Sequence, residues 1–113
     1  MKRTVSHDAF MRERLADAEF ATDYVQAAME DGEPSVLLLA LRRVAEARGG
    51  MAKLARETGL TREALYRTLS RSGNPRLTSL ESILAAFGLR LTVAPAKTTK
   101  RRRSQSAREL RAA

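Results

Sequence analysis

The sequence predicts an all-α domain: a bundle of about five helices built around a helix-turn-helix, followed by a short strand and a basic tail. Three observations carry that expectation. Apolar residues recur at spacings of three and four along most of the chain, the period of an α-helix with one buried face. The 113 residues include only five Phe or Tyr and no Trp, so the core must come from Leu, Ala, Val and Ile, which suits closely packed helices. Between Gly50 and Gly73, caps, turn residues and apolar stripe all describe two short helices joined tightly.

Residues 1–8 show no usable period and are expected to be a frayed start. From about Asp8 to Asp31 the pattern is helical, with a possible break near Asp17. Phe10, Leu15, Phe20, Tyr24, Val25, Ala28 and Met29 form its apolar stripe, and Gly32 stops it. Pro34 suits the first turn of the next helix, with Glu33 or Ser35 as its cap. Val36, Leu37, Ala40, Leu41, Val44 and Ala47 would face inward from this central helix, leaving Arg42, Arg43 and Arg48 outside, until Gly49-Gly50 ends it.

The segment from Gly50 to Gly73 is the organising stretch. Leu54 and Ala55 lie on the inner face of its first helix, and Gly59 stands where a helix C′ residue takes a positive φ. Leu60 is the buried plug, and Thr61 is an N-cap with Glu63 in the favourable first turn. Ala64, Leu65, Thr68 and Leu69 point inward, so Arg62, Glu63, Tyr66, Arg67 and Arg71 point out. A small residue, then Gly four positions on and Leu six further, is helix-turn-helix spacing. The outward set suits base edges in a major groove. Arg can bond guanine O6 and N7 together, Glu can accept from cytosine N4, and Thr can touch a thymine methyl.

Asn74-Pro75-Arg76 reads as a turn, and Thr78 with Glu81 as a capping box for a further helix. Leu80, Ile83, Leu84 and Phe87 face inward there, and Gly88 closes the helix with Leu89 against Leu84 in a Schellman arrangement. The start of that helix, with Arg76, could receive a phosphate. Leu89, Leu91 and Val93 alternate with Arg90 and Thr92 as a short strand stopped by Pro95. No second strand candidate exists, so either this strand pairs with its own copy in a homodimer, or the segment lies extended on the domain. Residues 96–113 hold seven basic residues against Glu109 and should be disordered alone, with a weak helix open to Ser104–Ala112. Their expected contribution is non-specific, salt-dependent attraction to phosphate.

Three segments result: an acidic helical segment, 1–33; a helix-turn-helix domain with terminal strand, 34–95; and a basic tail, 96–113. The net charge of +8 is unevenly spread, with four basic against eight acidic residues up to Glu33 and seventeen against five beyond. One end repels a polyanion and the other attracts it. The absence of cysteine excludes disulfide and thiolate-metal scaffolds and suits a reducing cytoplasm. No apolar run approaches the ~18 residues of a membrane span, and no signal peptide is visible, so a cytoplasmic protein is expected. The lone histidine, His7, has no clustered partner, and no Gly-rich phosphate loop is present. No catalysis, cofactor or metal is expected.

With these residues in view, the chain resembles the helix-turn-helix antidote proteins of bacterial addiction modules, relatives of phage-repressor-like (Xre) regulators and HigA-type antitoxins. The likeness runs from about Phe20 to Val93 and is carried above all by ALRRVAEARGGMAKLARETGLTREALYRTLS and GNPRLTSLESILAAFGL. It implies a DNA-binding domain that represses its own operon as a dimer and neutralises a co-encoded toxin, typically a RelE-like ribonuclease. By position it puts Thr61, Arg62, Glu63, Tyr66 and Arg67 in the groove of double-stranded operator DNA, and Met51, Lys53, Asn74 and Arg76 near phosphates. The tail beyond Pro95 has no counterpart in it. A free-standing regulator with no toxin would share every feature of the helix-turn-helix. A toxin-like reading frame beside the gene would separate the two.

Overall fold

In the computed structural model, which describes residues 2–96, the chain forms six helices and, among those residues, no strand. They are α1 (Lys2–Leu15), α2 (Ala18–Asp31), α3 (Pro34–Ala47), α4 (Gly50–Thr58), α5 (Arg62–Thr68) and α6 (Leu77–Ala86). The all-helical architecture matches the expectation; the number exceeds it by one. Asp17 is the reason. Its backbone is extended and its carboxylate accepts the Phe20 amide at 2.9 Å, so the break expected near Asp17 is complete and starts a new helix. The start at residues 1–8 is also corrected, because helical backbone already begins at Lys2. The basic tail and its possible helix lie outside the described residues.

Helix α3 is the hub, packing on α1, α2 and α4, while α4 carries α5 and α6. Its inward face is rotated from the one expected. Leu38, Ala40, Leu41, Val44 and Ala45 are buried, Leu37 and Ala47 are half-buried, and Val36 faces solvent. A hub helix with partners on several sides buries more than one stripe, so its periodicity underdetermines the face. On the first two helices Leu15, Ala21, Val25 and Ala28 are buried, whereas Phe10 and Met29 are exposed. The core is completed by Met51, Leu54, Leu65, Leu69, Ile83, Leu84 and Phe87, and it holds no polar or charged residue among those described.

Two further expectations change. Helix α6 begins at Leu77 with Arg76 in the N-cap position and no side-chain cap, so Thr78 lies inside the first turn and the capping box does not form. Its far end is as expected: Leu89 donates to the Leu84 carbonyl at 2.8 Å and Gly88 to Ala85 at 2.9 Å, the two bonds of a Schellman motif. Beyond it, Leu89, Leu91 and Val93 do not form a strand. Leu89 and Leu91 are half-buried against the helical core, while Val93 is 96% exposed. Among the described residues no second strand lies beside it, and Leu89 and Leu91 rest on the helices.

Candidate nucleic-acid interface

The turn between α4 and α5 is built from local bonds. Gly59 takes φ +78° and donates to the Ala55 carbonyl at 2.9 Å, ending α4 in a left-handed conformation that favours glycine. The Thr58 hydroxyl donates to Leu54 O at 2.8 Å and accepts the Leu60 amide at 3.2 Å. Extended Thr61 then caps α5, its Oγ1 accepting from the Ala64 amide at 3.0 Å. The four residues Thr58–Thr61 thus close the turn with bonds to their immediate neighbours.

Burial sets the roll of α5 about its axis. Leu65 and Leu69 are fully buried and Ala64 and Thr68 half-buried. The remaining positions face water: Thr61, Arg62, Glu63 and Arg67 are exposed, and Tyr66 is 50% exposed. Arg62 and Tyr66, and likewise Glu63 and Arg67, stand four apart and are surface neighbours. The result is one convex face with two guanidinium groups, a carboxylate, a phenol and a hydroxyl. That set can donate to purine acceptors and accept from a cytosine amine.

The chain leaves α5 beside more basic and polar groups. Arg71, Asn74 and Arg76 are all exposed in the α5–α6 connection. Gly73 belongs to its geometry, since a Cβ there would run into the Thr68 carbonyl oxygen. Its amide donates to Ser70 O at 2.9 Å. The two remaining phosphate candidates stand apart from this row. Met51 is only 4% exposed and packs in the core, so its side chain does not reach the surface and only its backbone could serve an anion. Lys53 is exposed, but it shares a shallow hollow with Arg48, Glu57 and Phe87, at the end of α6 opposite Arg76. The α6 helix of ten residues makes that separation about 15 Å.

Two residues that position this face escape a reading of the sequence alone. Arg42 of α3 donates through Nη1 to the Leu69 carbonyl at 3.4 Å, and Arg48 to the Phe87 carbonyl at 2.9 Å. Leu69 and Phe87 are the C-caps of α5 and α6, where the helix dipole is negative and carbonyls lack partners. The partners are 27 and 39 residues away in sequence, so no local signal marks them. Arg42 and Arg48 therefore act as cross-braces rather than as free surface cations.

Among the described residues no group of His, Cys, Asp and Glu could hold a metal ion, and no helix is long and apolar enough to cross a membrane. His7 is exposed beside Met11, Arg12, Leu15, Arg43 and Glu46.

Residues 6–95 match a family model described as probable addiction module antidote protein. An uncharacterised protein of Haemophilus influenzae is 31% identical over 86 residues, covering 76% of this chain and 88% of that one. No solved structure matches.

Proposed function

The chain belongs to the family of probable addiction module antidote proteins, and from that premise we propose that it is an antitoxin that binds its own operator DNA through α5. In this reading it represses its operon as a homodimer and neutralises a co-encoded RelE-like toxin. It is an Xre- or HigA-type helix-turn-helix protein, acts in the cytoplasm, and needs neither a cofactor nor catalysis. The observation that carries the DNA half is the exposed row from Thr61 to Arg67 on a helix whose start is fixed by Gly59 and Thr61.

The row would read bases, while Arg71, Asn74 and Arg76 grip the phosphates that flank the groove, helped by the uncapped amide groups at the start of α6. Lys53 and the backbone near Met51 would contribute a second phosphate contact from the start of α4. Two α5 helices in a dimer would enter successive major grooves about 34 Å apart. For the toxin half, support comes from the family and from the acidic N-terminal segment. Ribonucleases that hold RNA present basic surfaces, which a segment with eight carboxylates against four basic groups would complement.

Titration of operator and random duplexes tests the DNA half. Arg62→Ala or Arg67→Ala should weaken operator binding by about 1–3 kcal/mol and relax a single base position, if that side chain bonds guanine. Equal losses on operator and random DNA would contradict the assignment. Growth of cells expressing the adjoining gene, with and without this protein, tests the antidote half. A free-standing regulator would bind DNA with the same face and rescue nothing.

A further inference from the structure

We propose that the groove between α2 and residues 88–94 is the seat of the co-encoded toxin: it takes an amphipathic segment of a basic partner, apolar on one side and rich in Lys or Arg on the other, and leaves α5 free for DNA. This rests on the antidote half of the function proposed above and places its contact surface.

The groove holds about 550 Å³. Its floor is apolar, because Val25 of α2 and Leu84 of α6 line it and are almost wholly buried. Met29 rises on one side, 41% exposed, and half-buried Leu89 and Leu91 on the other. A thioether on an unbranched stem adapts to what it meets, so Met29 suits a wall that must close on another chain. No backbone–backbone hydrogen bond among the described residues involves 90–94, so the second wall keeps peptide groups available to an incoming segment.

The solvent edge of the groove is acidic. Glu19, Asp23, Gln26 and Glu30 recur at spacings of four, three and four, one line along α2 beside Thr22, Val25 and Met29. The line runs about 16 Å, and α2 carries no basic residue to offset it. An apolar floor with carboxylates along the rim divides the work of an interface: the centre anchors and the charges steer the approach. A partner that grips RNA carries the opposite sign in excess. Arg90 stands exposed on the facing wall, so the attraction is one-sided and turns the basic side of the segment towards α2. A second copy does not supply that segment from the same face, since two α2 helices brought together repel.

The groove is remote from the DNA face. Helix α2 packs on α1 and α3, and α5 on α4 alone. Only α6 serves both, with Arg76 at its start and Leu84 towards its end, and its ten residues span about 15 Å. The chain therefore holds toxin and operator together, and the toxin adds to the repressor complex instead of dismantling it.

The chain has no cysteine, so Met29→Cys gives a single site for a photocrosslinker. Mixed with the purified product of the reading frame adjoining this gene, the label should capture that product. Capture of a second copy, or of residues 97–113 of its own chain, would overturn the occupant. Met29→Asp, at an exposed position, should weaken the complex by about ten-fold or more while operator affinity stays within about two-fold. Asp23→Lys should slow association several-fold at low salt, whereas Glu46→Lys, also exposed but beside His7, should leave the rate within about two-fold. Binding unchanged in both Met29→Asp and Asp23→Lys would sink the placement alone. A wild-type chain that binds no such product would sink the antidote reading itself, and the placement with it. Displacement of a labelled operator duplex by the product would overturn the separation of the two faces.

Discussion

The two helical hairpins, α1–α2 and α4–α5, share one core but differ in what holds them beyond it. In α4–α5 the turn is closed by Gly59, Thr58 and Thr61, and the helices are pinned by Leu54, Leu65 and Leu69, each almost wholly buried. In α1–α2 the turn is closed by backbone bonds from Ala16 and Asp17 and by the Asp17 cap. Phe10 is exposed and Phe20 and Tyr24 are half-buried: the Arg14 guanidinium sits 5.2 Å from the Phe10 ring and 4.8 Å from that of Phe20, which stacks on Tyr24. Tyr24 in turn accepts from Arg43 of α3 at 3.4 Å. The first hairpin thus carries a surface ladder over its buried residues Leu15, Ala21 and Val25, whereas the second rests on core and turn together. A face that must present side chains at fixed positions belongs on the second kind, because its precision comes from burial that solvent does not weaken.

Substitutions can break or sharpen that contrast. Leu65→Ala, at the best buried position of α5, should cost about 2–5 kcal/mol, read by chemical denaturation. For a domain of ordinary stability, about 5–15 kcal/mol, that is a large part of the whole. Gly59→Ala should cost about 1–2 kcal/mol by forcing a side chain into the left-handed region, and an unchanged midpoint would mean the turn is not the constraint. Thr61→Ala should lose about 1 kcal/mol with its cap, whereas Thr78→Ala, which caps nothing, should stay within about 0.5 kcal/mol. Equal effects at the two threonines would restore the capping box to α6. Arg14→Ala should lose about 0.5–1 kcal/mol of stacking on Phe10 and Phe20. A loss as large as that of Leu65→Ala would show that the ladder, not the core, holds the first hairpin.

The same contrast separates what sequence reasoning reached from what it missed. Signals made and satisfied within a few residues read correctly: Gly32, Gly59, Thr61 and the Gly88–Leu89 ending all appear as expected. The outward set on α5 was legible because Leu65 and Leu69 leave that helix a single buried side. Three kinds of feature were not legible. The roll of α3 depends on several neighbours at once, so its periodicity turns Val36 inward while the fold leaves it exposed. The Thr78–Glu81 pattern fits a capping box, yet the helix starts two residues earlier than that box requires, at Leu77, and the hydroxyl caps nothing. Met51 matched a surface position by resemblance, but the structure buries it.

By itself, the sequence determined the helical class, the turn with its caps, the uneven charge and the row of groups on α5, because each depends on residues near one another in the chain. Tertiary structure alone decided which face of α3 is covered, that Arg42 and Arg48 brace helix ends 27 and 39 residues away, and that Leu89 and Leu91 lie on helices. Those outcomes turn on which distant surface is available to bury an apolar group or satisfy a carbonyl, and the order of residues along a chain does not record that.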